Sequence, residues 1–208
     1  MIVTSLSNPI SDRQLHLMDA MHRLRQRVFG ERLAWDVVND GGRESDEFDL
    51  LNPTYIVALS AASEIAGCVR LLPATGPTML ERTFPQLLAS GRLNAHPAMI
   101  ESSRFCVDTT LVEGRGGKPL HDATMAMFAG IIEWCMIRGF TEIVTATDVR
   151  FERILNRAAW PMRRLGQPTL INETMSVAGI LPVDRASFDR IRPANYRSDF
   201  NHPEQQAE

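Results

Sequence analysis

Three charged residues sit inside strand-like runs that are otherwise apolar, and they restrict the fold of this chain more than any other feature. Arg70 lies within Cys68-Val69-Arg70-Leu71-Leu72, and Glu101 and Arg104 lie within Met99-Ile100-Glu101-Ser102-Ser103-Arg104-Phe105-Cys106-Val107. A charge on a buried strand has to be paired or hydrogen-bonded, so the fold must bring opposite charges to these positions or turn them to solvent. Period two puts Glu101 and Ser103 on one strand face and Arg104 on the other. A site shared by Glu101 and Arg104 therefore needs a bulge or twist near Ser102-Ser103, a distortion that recurs beside active sites. Taken alone, the pattern fits structural ion pairs or a half-exposed strand face as well as it fits a reactive centre.

The periodicity around these runs gives an order of elements. Residues 1–6 read as a short strand and 12–28 as a helix, with Leu15, Met18, Met21, Leu24 and Val28 recurring at helical steps. The stretch from Trp35 to Leu51, polar and acidic with Gly41-Gly42, reads as a mobile loop with short helical turns. Strands are expected at Thr54–Leu59, Ile65–Leu72, Met99–Val107, Glu142–Thr147 and 173–181. Helices are expected at 81–89, Leu120–Arg138, Val149–Ala159 and 183–191, and Thr109–Lys118 reads as a glycine-containing connection. This order predicts an α/β (α+β) fold, with a mixed, mainly antiparallel twisted sheet and helices on both faces. One domain is expected over 1–192, followed by a disordered tail over 193–208.

Composition excludes several functions. A net charge of -3 gives no basis for nucleic-acid binding, so an anionic partner has to meet a local basic patch. Cys68, Cys106 and Cys135 lack close spacing and have apolar neighbours, which reads as buried free thiols in a reducing compartment. The histidines show no metal-ligand spacing, and no metal is expected. Neither a signal peptide nor a membrane span is read: the most apolar stretch, Met125 to Ile137, is short and interrupted by Glu133. A cytoplasmic monomer is expected, with no membrane partner. The serine nucleophile elbow, the phosphate-binding loop and the dinucleotide fingerprint are all missing.

Between Met21 and Asp36 the sequence carries Arg25, Phe29 four residues later and Trp35 six after that. Asp46 and Asp49 follow, then Arg70, then Glu101 and Arg104 in the spacing E-x-x-R. This ordered set resembles the LuxI-type acyl-homoserine lactone synthases, over about residues 1–190. Within that family it is most similar to the TraI branch, through the runs Ala66–Pro73 and Glu101–Asp108. The resemblance implies a GNAT-like three-layer α/β/α fold. It also implies a cleft in which Arg25, Arg70 and Arg104 meet Asp46, Asp49 and Glu101. In the implied reaction, the amine of S-adenosylmethionine attacks the thioester of an acyl-carrier protein. The substrate carboxylate then displaces methylthioadenosine and closes the lactone, with no cofactor beyond the S-adenosylmethionine consumed.

That chemistry needs a proton acceptor, because a free α-amine with a pKa of about 8 is mostly protonated at neutral pH. Glu101 is the first choice, since an apolar strand raises a carboxyl toward the working range, and Asp46 is the alternative. Asp46 and Asp49 suit the cationic amine and sulfonium, whereas Arg70 and Arg104 suit the carboxylate or the orientation of the acids. Phe29 and Trp35 offer aromatic faces to the adenine or the sulfonium, or pack as core beneath a loop. Arg150, Arg153 and Arg157 share one face of a predicted helix, with Arg163 and Arg164 close behind, a patch suited to an acidic carrier protein. By resemblance, Thr145 favours 3-oxo chains, with Thr147 on the same strand face and Ser103 assisting, and the similarity to the TraI branch implies a chain of medium length. The rival is an N-acyltransferase using acyl-CoA, but Val112–Pro119 does not match the pyrophosphate-wrapping pattern of those enzymes. A second rival is a non-catalytic binding module that keeps the fold.

Overall fold

The computed structural model describes residues 1–110 and 122–200. Within the span read as one domain, the chain divides into two compact units that alternate along the sequence. The first holds Met1–Arg70, Arg104–Gly130 and the chain from Pro193, and the second holds Leu71–Ser103 and Ile131–Arg192.

The first unit opens with β1 (Ile2–Leu6) and α1 (Asp12–Arg25). α1 starts where its cap dictates: the Ser11 hydroxyl accepts the Gln14 N–H while the Gln14 side chain accepts the Ser11 N–H. It gives way at Gln26–Arg32 to a π-helical turn, so the single helix expected over 12–28 is two segments. Next comes a hairpin, β2 (Asn39–Asp40) and β3 (Arg43–Glu44), turned by Gly41 and Gly42 at φ +56° and +82°. Two consecutive positive φ values are what a tight hairpin turn demands and what glycine accepts. A 3-10 helix, Glu47–Leu51, follows. The stretch read as a mobile loop is thus mostly regular structure.

β4 (Thr54–Leu59) runs antiparallel to β1, with Ile2 opposite Leu59 and Leu6 opposite Tyr55. β5 (Ile65–Pro73) lies beside β4, and β6 (Met99–Val107) lies beside β5. Period two sorts the side chains of these strands. Leu6, Val57, Cys68 and Cys106 join Met21 and Leu24 of α1 in one core cluster. The alternate positions face α3 (Asp122–Ile137): Phe105 packs on Phe128, and a Cβ on Gly130 would stand 2.5 Å from Val3 Cγ1. α1 and α3 therefore cover opposite strand faces, in the α/β/α layering expected. The Cys68 and Cys106 thiols, both free and buried, lie 3.4 Å apart.

Residues 193–200 correct the expectation of a disordered tail for the part that is described. Val3 donates to the Arg197 carbonyl at 2.9 Å, and Asp199 donates to the Val3 carbonyl at 3.2 Å. Backbone pairing of this kind leaves no mark on composition.

In the second unit, α2 (Met79–Thr83) and a 3-10 turn (Pro85–Leu87) replace the single helix expected over 81–89. Pro85 has no N–H to continue α2. Then come β7 (Glu142–Asp148), α4 (Val149–Arg157), β8 (Arg163–Arg164), β9 (Thr169–Ile171), β10 (Thr174–Pro182) and α5 (Arg185–Ile191). β6 pairs parallel with β7, while β7, β8 and β9 all pair antiparallel with β10. The strand pairing is mixed and mainly antiparallel, as the element order implied. β8 and β9 were not expected, because strands this short carry no readable period. Leu80, Leu87, Met99, Val144, Ala178 and Ile180 form the core under α2.

The start of the helix expected at Leu120 and the connection from residue 111 to Lys118 fall outside the described residues. Among the described residues, no helix is long and apolar enough to cross a membrane.

Candidate active site

The first unit assembles a closed ring of alternating charge. Arg25, in the last turn of α1 and fully buried, donates from Nε to Glu44 Oε2 at 2.5 Å. Its two terminal nitrogens donate to the two oxygens of Asp49 at 2.8 and 2.9 Å, a bidentate pairing that fixes the guanidinium plane. Asp49 Oδ1 also accepts from Arg70 Nη1 at 2.9 Å. Arg70 Nη1 reaches on to Asp46 Oδ1, and Asp46 Oδ2 stands 2.8 Å from Arg104 Nη2. Arg104 Nε donates to Glu44 Oε1 at 3.0 Å and closes the circuit. Read around, the order is Arg25, Glu44, Arg104, Asp46, Arg70, Asp49.

Local structure explains each position. The π-helical turn after Arg25 holds Phe29 in the core at 2% exposure and brings Trp35 N–H back to the Phe29 carbonyl at 2.9 Å. Such widened turns often mark functional sites. The space for it comes from Gly30, where a Cβ would lie 2.4 Å from the Gln26 side chain. Asp46 caps the 3-10 helix by accepting the Phe48 N–H, and Asp49 reaches back to the Asp46 N–H at 2.8 Å, so the two acids brace one another. Arg104 has φ +55° in the middle of β6, a left-handed conformation that costs a non-glycine residue about 1–2 kcal/mol. This is the distortion the alternation argument required near Ser102-Ser103, one residue further on.

Electrostatically, the ring offsets its own burial. Burial alone would raise the Asp49 carboxyl, but Arg25, Arg70 and the Tyr55 hydroxyl at 2.6 Å hold it well below the usual carboxylate range. Burial would lower the Arg25 and Arg70 guanidiniums, and the acids raise them instead. Exposure is uneven around the ring. The side chains of Arg25, Glu44 and Arg70 are at 0% and Asp49 at 8%, whereas Arg104 reaches 10% and Asp46 17%. Asp46 Oδ2 makes no well-aligned hydrogen bond among the described residues, so its pairing with Arg104 is charge contact without good geometry. Arg104 and Asp46 are the ring's two most exposed members, although Asp46 Oδ2 itself is buried.

An aromatic stack lies against the same residues. The Arg104 guanidinium sits 5.6 Å over the Phe29 ring, and Phe29 stacks on Trp35 at 5.0 Å. Phe29 is sandwiched, while Trp35, 42% exposed, keeps a face to solvent. Arg70 sits 5.4 Å over Phe48.

The remaining expected site residues lie in the second unit. Glu101, 1% exposed, accepts the Met79 and Leu80 backbone N–H groups at 2.9 and 2.7 Å, at the start of α2. The Thr145 hydroxyl donates to the Ser102 carbonyl at 2.8 Å across the β6–β7 pair. Thr147 and Ser103 are half-buried. Arg150, Arg153 and Arg157 are exposed on one face of α4, but Arg164 is not free to join them: it pairs bidentately with Glu152, both bonds 2.7 Å. Among the described residues, no group of three or more His, Cys, Asp or Glu is placed to hold a metal ion.

The family model described as autoinducer synthase matches residues 10–191. The chain belongs to the autoinducer synthase family. An acyl-homoserine-lactone synthase of Rhizobium radiobacter is 59% identical over 198 residues, covering 95% of this chain and 93% of the relative. The crystal structure of the acyl-homoserine-lactone synthase LasI matches with a TM-score of 0.78 at 29% identity, over 91% of this chain and 93% of that one. A putative N-acetyltransferase from Lactobacillus plantarum matches at 0.58 and 17% identity, over 88% of this chain and 100% of that one, and it shows the shared GNAT-like fold alone. This autoinducer synthase is thus an acyltransferase built on an acetyltransferase-like frame.

Glu44 is the ring member that sequence reading missed. A usable signal was present: Asn39-Asp40-Gly41-Gly42 is a hairpin turn, and alternation after it sends Arg43 outward and Glu44 inward.

Proposed function

We propose that this autoinducer synthase acylates the amine of S-adenosylmethionine from an acyl-carrier protein, then closes the lactone with release of methylthioadenosine. The observation that carries this reading is the Arg104–Asp46 link, which joins the ring's two most exposed side chains and leaves Asp46 Oδ2 without a well-aligned hydrogen bond. An α-amino acid head brings one positive and one negative group. Inserted between Arg104 and Asp46, its carboxylate meets Arg104 and its ammonium meets Asp46, so charge still alternates around the enlarged circuit. The exposed face of Trp35 suits the cationic sulfonium or the adenine. Arg25, Arg70 and Asp49 are too buried to be the first groups a substrate meets, and they orient Arg104 and Asp46 from behind.

Before attack, the ammonium must lose a proton. Glu101, three residues before Arg104 in β6, supplies the acceptor, directly or through a water. Its two backbone donors fix the position of the carboxylate. The freed amine adds to the thioester carbonyl and the carrier thiol leaves. The carboxylate, held by Arg104, then displaces the sulfonium from the γ-carbon. The sulfonium is itself the activated leaving group, so no resident cofactor enters the scheme. The transferred chain is assigned as a 3-oxo chain of medium length. This requires the Thr145 hydroxyl to turn from the Ser102 carbonyl to the acyl 3-oxo group, with Thr147 and Ser103 alongside. Three buried free thiols suit work in the cytoplasm.

The deciding experiment gives purified protein S-adenosylmethionine together with octanoyl or 3-oxo-octanoyl carrier protein, or the matching acyl-CoA. Methylthioadenosine and lactone are then measured. Lactone formed preferentially from the carrier protein supports the reading. Acyl-CoA turnover without lactone would overturn it in favour of an N-acyltransferase, and no turnover would favour a binding module.

The exposed arginines of α4 carry the choice of donor. Arg153→Glu combined with Arg157→Glu is expected to raise KM for acyl-carrier protein about tenfold or more and to leave KM for acyl-CoA nearly unchanged. The effect should shrink as salt rises, because exposed charges are screened beyond about 8 Å at physiological ionic strength. An unchanged carrier KM at low salt would remove α4 from the docking surface.

A further inference from the structure

We propose that Glu44 is a positioning residue that aims Arg104 at the substrate carboxylate, an inference that rests on the reading above and extends it to a residue beyond those read from the sequence. Glu44 is the one acid in the ring whose carboxylate takes the Nε–H of two different arginines, Arg25 at 2.5 Å and Arg104 at 3.0 Å. The Nε position matters, because holding it fixes rotation of the guanidinium about the side-chain axis and so sets where the terminal nitrogens point. With Nε committed to Glu44, the Nη2 edge of Arg104 is turned to Asp46, the place where the substrate head enters.

The backbone that carries this carboxylate is itself held. β3 is the return strand of a hairpin set by the Gly41-Gly42 turn, and His22 Nδ1 donates to the Glu44 carbonyl at 2.7 Å. Elsewhere on the same hairpin, Arg43 pairs with Asp19 of α1, and Arg23 of α1 donates to the Gly41 carbonyl at 3.5 Å. The hairpin is thus pinned, and its fully buried acid has no freedom to follow Arg104 if that arginine swings. Arg104 needs such an anchor, since its left-handed backbone is unfavourable unless its surroundings impose it.

Glu44→Gln tests the assignment. An amide has one acceptor oxygen, so it can satisfy only one of the two Nε–H donors, and its NH2 group opposes the other. Steady-state methylthioadenosine release should show kcat/KM for S-adenosylmethionine lowered about 100-fold, the scale of a small misplacement at a reacting centre. KM for the acyl donor should stay within about twofold of wild type, because the donor does not use the ring. Val57→Ala, a cavity in the same unit's core, serves as the stability control. It should lower the melting temperature and leave both KM values alone. Glu44→Asp keeps the charge but is one methylene too short to span both arginines, and it should show an intermediate loss of about tenfold. If Glu44→Gln does not fold, Glu44→Asp decides. An unchanged KM and kcat for S-adenosylmethionine in the folded variant overturns the role, as does a loss matched by Val57→Ala. If wild type makes no lactone from any donor, the proposed function has failed instead.

Discussion

Glu101→Gln is expected to leave the fold intact and to lower methylthioadenosine release by about 100- to 10,000-fold, the usual worth of a positioned general base. The substitution keeps shape and volume and removes the ability to accept a proton at neutral pH. Its structural cost is bounded. The amide oxygen still accepts one of the two N–H groups of α2 that Glu101 now accepts, while the amide nitrogen faces the other, a mismatch of about 1–3 kcal/mol. Urea unfolding measures that cost separately from the kinetics. The signature of a lost base is a rate that recovers as pH rises toward the pKa of the amine, about 8, where the nucleophile deprotonates without help. Near-full methylthioadenosine release by the variant at neutral pH would transfer the role to Asp46.

Asp49→Asn has the largest expected effect on stability. Asp49 accepts from both terminal nitrogens of Arg25, from Arg70, from the Tyr55 hydroxyl and from the Asp46 N–H. Removing its charge leaves two fully buried arginines facing one acid fewer. Breaking a buried pair in this way costs about 3–5 kcal/mol, a large share of a normal folding free energy. The effect has a defined pH dependence. Burial pushes the Asp49 carboxyl up and the arginines pull it down further, so its folded value lies below the unfolded value of about 3.9. A carboxyl lowered on folding adds stability that is fully present above its unfolded value and is lost as pH falls through its folded value. The difference between wild type and Asp49→Asn should therefore be constant from about pH 7 down to about pH 5 and narrow below about pH 4. A gap that persists unchanged at about pH 3 would show that Asp49 contributes shape and not charge.

Much of this was legible from residues alone. Charges on apolar strands marked Arg70, Glu101 and Arg104, and the parity conflict between Glu101 and Arg104 required a strand distortion that appears as the φ of +55° at Arg104. The spacing of Arg25, Asp46 and Asp49 came through the family resemblance, and the ring joins all three to Arg70 and Arg104. The ring's third acid, Glu44, was not read from the sequence. Glu44 lies on a strand of two residues, where the glycine turn gives the direction of the side chain but not its partners, and its importance comes from contacts made with α1 and β6 far away in sequence. The same limit hid β8, β9 and the pairing of residues 197–199 with Val3. Local pattern reports how a segment behaves by itself. It does not report which distant segment completes it.

A circuit in which acids and arginines strictly take turns has an even number of members, so parity acts as a filter on what can join it. A guest must bring its charges in opposite pairs, or two like charges end up side by side in a poorly solvated place. S-adenosylmethionine stripped of its carboxylate keeps its adenine and its sulfonium but fails this count, and it should inhibit weakly. A small molecule with a zwitterionic head and an unrelated tail passes it. For inhibitor design, the head group then acts as an admission rule, and the tail is left to set affinity.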